Sequence, residues 1–359
     1  IRRFITFLIV LTFFFNSIAF SEQIDESLLT TEYYLSYDLV NEKTMFSNNA
    51  NESISPASLT KLMTALVIVD SFNLGDVIEI NFPDEYVYEG KVAYLESGQQ
   101  MTIESLLEFI LIYSANDACF AASMIVSGSV DNFILLMNNK AKELNMNNTN
   151  FVNPDGLDAD NHYTSLNDLL ILSKEVLKNI QLLTIIMKPS FISNIAGDDK
   201  VYLNTNKLID KNYLGLKTGW TSEAGLTFIG VNQSNNREIL TIVNKSFVNE
   251  KKDNHFSDTE ILYTVSIDTF VNSVLLDTNT KIYRIRNSMK TSAIKSDESW
   301  IVFGNRYSEN NLFLNDISNN GIEFKVKDNT HSVKFINPIE TKIWKFNFTK
   351  FLTLNANQN

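Results

Sequence analysis

The sequence predicts an α+β fold followed by a smaller all-β module, and three observations carry that reading. Strand-like segments open the chain near residue 33 and return near residue 213, with helical patterns filling the interval. After about residue 279 the helical patterns stop and short alternating runs replace them. The 359 residues suit two domains of ordinary size rather than one. Strands at both ends of a segment with helices between them imply that the terminal strands meet in one antiparallel sheet.

Taken in order, Tyr33 to Leu39 and Thr44 to Phe46 flank Asn41-Glu42-Lys43 and read as a hairpin. Ser58 to Val69 is an amphipathic helix, with Leu59, Leu62, Met63, Leu66 and Val67 apolar and Pro56-Ala57 opening it. Helices are expected over Ile103 to Tyr113, Asp117 to Val126, Val130 to Leu144 and Ser165 to Lys178. Strands return at Tyr213 to Thr221, Leu226 to Asn232 and Glu238 to Val243, with Asn235-Asn236 as the turn between the last two. A helix from Glu260 to Val274 is expected to close this domain. Runs at Ile282 to Ile285, Trp300 to Phe303, Ile322 to Val326, Val333 to Ile336 and Trp344 to Phe348 make up the β module. The organisation is therefore a leader at 1–21, a main domain at 22–277 and a β-rich domain at 278–359.

The leader is read from Arg2-Arg3, an apolar run from Phe4 to Phe15, and the small residues that follow. This describes a secretory signal peptide, with cleavage after Ala19 or Ser21 and an uncleaved anchor as the alternative. No second apolar run of spanning length follows, so an exported protein is expected, in the periplasm or on the outer face of the cytoplasmic membrane. A formal net charge of −12 argues against a nucleic-acid surface, which needs a basic stripe. One Cys and three His leave little for a zinc site, so neither metal nor cofactor is expected. An exported chain of this length can rest on its core without a disulfide.

The chemistry centres on Pro56-Ala57-Ser58-Leu59-Thr60-Lys61. In a helix, Ser58 and Lys61 share a face about one turn apart. A nucleophilic hydroxyl needs a base, and an amine serves when burial or a second cation keeps it neutral. The spacing alone is unspecific, because Ser292-Ala293-Ile294-Lys295 repeats it; that copy lies in β-patterned sequence with no helix to align it. Ser114-Ala115-Asn116 falls between two expected helices, where a hydroxyl and an amide could face a cleft. Lys217-Thr218-Gly219 lies on an expected strand and occurs once. There Gly lets a ligand approach the strand, while Lys and Thr offer a cation and a hydroxyl to a carboxylate.

In that order, Ser-x-x-Lys, Ser-x-Asn and Lys-Thr-Gly form the set shared by penicillin-binding proteins and serine β-lactamases. The words Pro-Ala-Ser-Leu-Thr-Lys-Leu-Met-Thr at 56–64, Met-Asn-Asn-Lys-Ala-Lys-Glu-Leu at 137–144, Phe-Val-Asn-Pro-Asp-Gly-Leu at 151–157 and Gly-Leu-Lys-Thr-Gly-Trp-Thr-Ser-Glu-Ala-Gly at 215–225 resemble the serine-type D-Ala-D-Ala carboxypeptidases of low molecular mass. The resemblance covers about Thr30 to Val274. It implies a β-lactamase/transpeptidase-like domain and cleavage of a peptidoglycan stem peptide ending in D-Ala-D-Ala, with β-lactams as covalent inhibitors. It further implies Ser58 as nucleophile and Lys61 as general base, its neutral form favoured by desolvation and by repulsion from Lys217. Ser114 would relay the proton, Asn116 would hold Lys61 and the substrate amide, and Lys217 and Thr218 would bind the terminal carboxylate. Backbone N–H groups of Ser58 and Trp220 would form the oxyanion hole, worth on the order of 3 kcal/mol per donor.

Several positions depart from the family pattern. Trp220 follows Lys217-Thr218-Gly219 where His or Tyr is commoner, and Ala115 replaces a usual Gly. His255 falls in a segment where the family commonly has an Arg that helps bind the carboxylate, and it reads either as a weaker, pH-dependent substitute or as a surface histidine. Cys119 reads as a small core residue, His162 and His331 as loop or strand-surface residues, and Asn153-Pro154-Asp155-Gly156 as a structural turn. No dedicated Glu for deacylation is apparent, which disfavours a class A β-lactamase. A terminal membrane-lying helix is common among relatives, but Lys350 to Asn359 is short and Asn-rich, which leaves peripheral membrane association open. Two rival functions are a D,D-endopeptidase with the same catalytic set and a catalytically silent peptidoglycan-binding protein.

Overall fold

The computed structural model describes residues 24–195, 198–234, 237–250 and 252–276, and beyond them the segments 281–287, 290–295, 300–305, 312–318, 321–326 and 329–334. The expected leader, the Asn235-Asn236 turn, the Trp344 to Phe348 run and the tail from Lys350 lie outside the described residues. One compact unit spans Ile24–Phe270, and the strands from Val271 onward belong to a second.

Strands β1 (Tyr33–Asp38) and β2 (Lys43–Asn48) form the expected antiparallel hairpin. A single 3₁₀ turn, Ala57–Thr60, then runs directly into α1 (Lys61–Val69). Leu62, Met63, Ala65, Leu66, Val67 and Ile68 are all buried, so α1 is a core helix rather than a surface one. A two-stranded ribbon of β3 (Val77–Glu79) and β4 (Gln100–Thr102) brackets the loop 80–99. The next helix begins as α2 (Ile103–Glu108), where the Thr102 side chain accepts from the Ser105 N–H. It then widens into a π turn at Phe109–Tyr113 and stops at Ser114, which has a left-handed backbone at φ 69°. Such turns are frequent at functional sites.

Helices α3 (Asn116–Ser127) and α4 (Val130–Glu143) follow, divided by Gly128 in a left-handed conformation and by the Ser129 cap. Next come α5 (Leu166–Lys178), capped by Ser165, and α6 (Ile180–Ile186), capped by Asn179. A hairpin of β5 (Ser190–Ile195) and β6 (Asp198–Leu203) leads to β7 (Tyr213–Thr221), β8 (Gly225–Ser234) and β9 (Arg237–Ser246). The main sheet has the order β2-β1-β9-β8-β7 and is antiparallel throughout, so the two ends of the domain meet as expected, with β7 on an edge. The core helix α1 and the amphipathic α5 pack against it, as does α7 (Asn254–Thr269). Asp38, fully buried, is paired to Arg237 at 3.1 Å and ties β1 to β9.

Helix α7 begins six residues and ends five residues earlier than the sequence pattern predicts, and Phe270–Leu276 is strand β10. Phe270, Val271 and Val274 are residue types that suit a strand, and pairing with a later segment decides it. Strands β11 (Lys281–Asn287), β12 (Lys290–Lys295), β13 (Trp300–Asn305), β14 (Leu312–Ser318), β15 (Gly321–Val326) and β16 (Asn329–Lys334) make up the rest of the second unit. There β10 pairs with β13, β11 with β12, and β14, β15 and β16 form a meander. Every described element beyond Phe270 is a strand.

Candidate active site

The turn that carries Ser58 is held in an unusual backbone. Ala57 has φ 48°, uncommon for a residue with a side chain, and its carbonyl lies against Gly156. Gly156 has φ 89°, and a Cβ there would come within 1.8 Å of the Ala57 oxygen, so only glycine fits. On the other side, a Cβ at Gly219 would stand 3.1 Å from the Ser58 nitrogen and 2.7 Å from Thr227. The backbone of β7 therefore runs immediately beside the nucleophile's amide.

Lys61 is fully buried, and its Nζ has three oxygen partners. Its Nζ lies 3.0 Å from Ser58 Oγ, 2.8 Å from Asn116 Oδ1 and 2.6 Å from the Asp155 carbonyl oxygen. A buried amine costs several kcal/mol unless its donors are matched, and this geometry matches them. Ser58 itself is half-buried at the floor of a cleft with a volume of about 730 Å³. That volume falls within the usual range for a small-ligand site.

Lys217 approaches from β7. A bulge between Gly215 and Lys217 shifts the register with β8 and sets the residues that follow. Its Nζ donates to Ser114 Oγ at 2.9 Å and to the Thr218 carbonyl at 2.9 Å. Complete burial, reinforced by the charges of Lys61 and Lys91, holds the Lys217 ammonium well below the ordinary lysine range. The repulsion expected between the two lysines is thus felt at Lys217. Thr218 Oγ1 donates to Thr205 Oγ1 at 2.7 Å, and Trp220, half exposed, stands on the rim with Lys252 Nζ 4.3 Å from its ring centre.

Ser58, Ser114, Asn116, Thr218, Gly219, Trp220 and His255 all line the one cleft, and Lys61 and Lys217 reach it through their hydrogen bonds to Ser58 and Ser114. His255 is not a surface histidine: it is buried, with its ring 3.9 Å from that of Phe256, and its Nδ1 has no hydrogen-bond partner among the described residues. Burial and the charge of Lys207 push it down to about 4, so it is neutral at ordinary pH and supplies no cation. Lys207 and Lys252, both exposed and both on the cleft lining, supply positive charge at that end.

His162 also departs from expectation. It is buried, its Nδ1 accepts from the Val152 N–H at 3.0 Å, and its Nε2 therefore carries the proton toward Thr60 Oγ1, 3.0 Å away. Thr60 lies between Ser58 and Lys61, so this ring braces the catalytic turn. Cys119 is fully buried, and its thiol is pushed up to about 12 by burial, which suits an inert core residue. His331 lies on β16. Asp155 keeps its place in a turn and adds its carbonyl to the Lys61 cradle.

Sequence reasoning missed that carbonyl, the Glu89–Lys91 stretch and the rim lysines. None stands in a spacing pattern with Ser58, because each arrives by a long-range contact. Asn116 N donates to Lys91 O at 2.7 Å, and Asn116 Nδ2 donates to Glu89 O at 2.9 Å. The buried Asp117 carboxylate accepts from Ala93 N and Leu95 N, each at 3.0 Å, and pins the same loop. Among the described residues, no group of three His, Cys, Asp or Glu side chains could hold a metal ion.

An antiparallel sheet flanked by helices, with a serine and a buried lysine one helical turn apart, is an arrangement in which an amine can activate a hydroxyl as a nucleophile. The chain belongs to the D-alanyl-D-alanine carboxypeptidase family, whose model matches residues 21–247. It is 37% identical over 212 residues to the D-alanyl-D-alanine carboxypeptidase DacF of Bacillus subtilis, covering 56% of this chain and 54% of that protein. It is 31% identical over 233 residues to the D-alanyl-D-alanine endopeptidase of Escherichia coli, covering 63% of this chain and 74% of that one. Among solved structures, cefotaxime-bound penicillin-binding protein D2 of Listeria monocytogenes matches with a TM-score of 0.58 at 28% identity, covering 67% of this chain and 98% of that one. The chain spans about half the length of DacF.

Proposed function

We propose that this protein is an exported serine-type D-Ala-D-Ala carboxypeptidase that removes the terminal D-Ala from peptidoglycan stem pentapeptides through an acyl-enzyme. The single observation that carries this reading is the 3.0 Å contact between Ser58 Oγ and the buried Lys61 Nζ. Ser58 Oγ attacks the carbonyl between the two D-Ala residues, and an unprotonated Lys61 takes its proton. Ser114, in contact with Lys217, relays that proton from Lys61 to the departing amine nitrogen, so that D-Ala leaves as the amine and Lys61 is again neutral to take a proton from the incoming water. The backbone N–H groups of Ser58 and Trp220 hold the developing oxyanion, and Asn116 keeps Lys61 in position. Water then cleaves the ester and returns the hydroxyl to Ser58.

Thr218 and Lys217 take the terminal carboxylate, with Lys207 and Lys252 adding positive charge at the rim in place of the cation expected from His255. An arriving carboxylate raises the proton affinity of Lys217 and so strengthens its own binding. β-Lactams acylate Ser58 by the same route. The apolar leader over residues 4–15 supports export to the periplasm or the outer membrane face, with 22–277 and 278–359 as the mature domains.

The likeness to the endopeptidase of Escherichia coli favours one second reading, cleavage of D,D cross-links by the same residues. Purified protein incubated with pentapeptide and with cross-linked muropeptide separates them. Release of free D-Ala from the pentapeptide is the expected product. Cleavage of the dimer without D-Ala release would replace the first reading with the second, and failure to process either would overturn both.

A further inference from the structure

Outside the residues already given roles, the cleft holds one more cation, Lys91. Its backbone carbonyl is fixed by the Asn116 N–H at 2.7 Å, and Ala93 and Leu95 are fixed by the Asp117 carboxylate. The residue that orients Lys61 therefore also positions Lys91. The side chain lies on the cleft lining, with Nζ 4.1 Å from the centre of the Tyr113 ring. Its charge reaches both Lys61 and Lys217.

No carboxylate among the described residues pairs with Lys91. Glu89 and Asp155 line the same cleft, but Glu89 acts on Asp155, and Lys91 answers only to burial and to Lys61. These two causes push its ammonium down to about 8. A carboxylate from a ligand would reverse that depression, so the site is arranged to gain from an anion. The terminal carboxylate of a peptide is already provided for at Thr218. With that end at Thr218 and the scissile carbonyl at Ser58, the preceding residue of a bound peptide has the remaining cleft lining to meet, and Asn116 and Lys91 belong to it.

We propose that Lys91 is the anchor of a second carboxylate subsite, which selects stem peptides with an anionic side chain on the residue before the D-Ala pair. This rests on the carboxypeptidase reading above. The subsite binds the substrate and takes no proton in the reaction, since Lys91 makes no hydrogen bond to Ser58.

The test compares two β-lactams that differ only in an acyl side chain ending in a carboxylate or in its amide. Acylation rates at Ser58 are measured for the unaltered protein, Lys91→Gln, Lys91→Glu and, as a control, the exposed Lys142→Gln. The unaltered protein and Lys142→Gln should prefer the carboxylate compound by on the order of tenfold; Lys91→Gln should lose that preference and Lys91→Glu should invert it. An unchanged preference in Lys91→Gln, or none in the unaltered protein, would overturn the subsite. The same ratio is then read from D-Ala release with a carboxylate-bearing and an amidated pentapeptide. Loss of D-Ala release with the β-lactam preference intact would count against the carboxypeptidase reading and leave the subsite standing.

Discussion

Ser58-Leu59-Thr60-Lys61 and Ser292-Ala293-Ile294-Lys295 have the same spacing and opposite fates. The first lies on a 3₁₀ turn that becomes α1, where three residues make about one turn and bring the hydroxyl and amine to 3.0 Å. The second lies on β12, with Ser292 in register with Ile285 and Lys295 with Lys281. Three steps along a strand put the two positions on opposite faces, about 10 Å apart. A motif of residue types becomes chemistry only through the period of the element that carries it.

The largest effect that would break this comparison is at the nucleophile. Ser58→Ala should abolish covalent labelling by fluorescent penicillin, while circular dichroism stays that of the unaltered protein. Labelling retained in that variant would move the nucleophile elsewhere.

A smaller effect concerns the brace on the first copy. His162 and His255 are both pushed down to about 4 in the folded protein, against 6.5 for a free imidazole. The unfolded chain therefore binds more protons below pH 6.5, so stability is full above that pH and is lost progressively as pH falls toward 4. Each ring should cost on the order of 2 kcal/mol over that window. Urea midpoints measured from pH 7 to pH 4 check this, and His162→Gln should flatten part of the slope. Labelling should fall in the same window, because protonated Nδ1 can no longer accept from Val152 beside the catalytic turn. A flat urea profile in the unaltered protein would remove the brace.

The smallest effect is expected at the second copy: Ser292→Ala should leave the rate of penicillin labelling within error of the unaltered protein. A loss without unfolding would mean that spacing alone had been enough.

Much of the architecture was legible because long periodic segments announce themselves. The helices near 61, 116, 130 and 166 and the three strands after 213 stand where periodicity and caps put them. Helix α6 and the β5–β6 hairpin were not legible. Ile180–Ile186 is a seven-residue, largely apolar run that fits either period, and the hairpin strands alternate only weakly. The end of α7 was misplaced because pairing with β13, a non-local event, converts Phe270–Leu276 to strand. The π turn before Ser114 has no local signature at all.

By itself the sequence determined the residue types of the site and the helical phase that sets Ser58 beside Lys61, since both follow from local spacing. It also determined that strands from the two ends of the first domain should share a sheet. Only the tertiary structure decided what surrounds the pair: the Asp155 carbonyl on Lys61, the closure of Gly156 and Gly219 on the Ser58 turn, and the depression of Lys217. It also decided that His255 is a neutral buried ring and that Lys91 lies in the cleft with no carboxylate partner among the described residues. The physical reason is that burial, close approach and electrostatic coupling depend on which distant segments come together, and no spacing along the chain encodes the dielectric or the neighbours of a side chain.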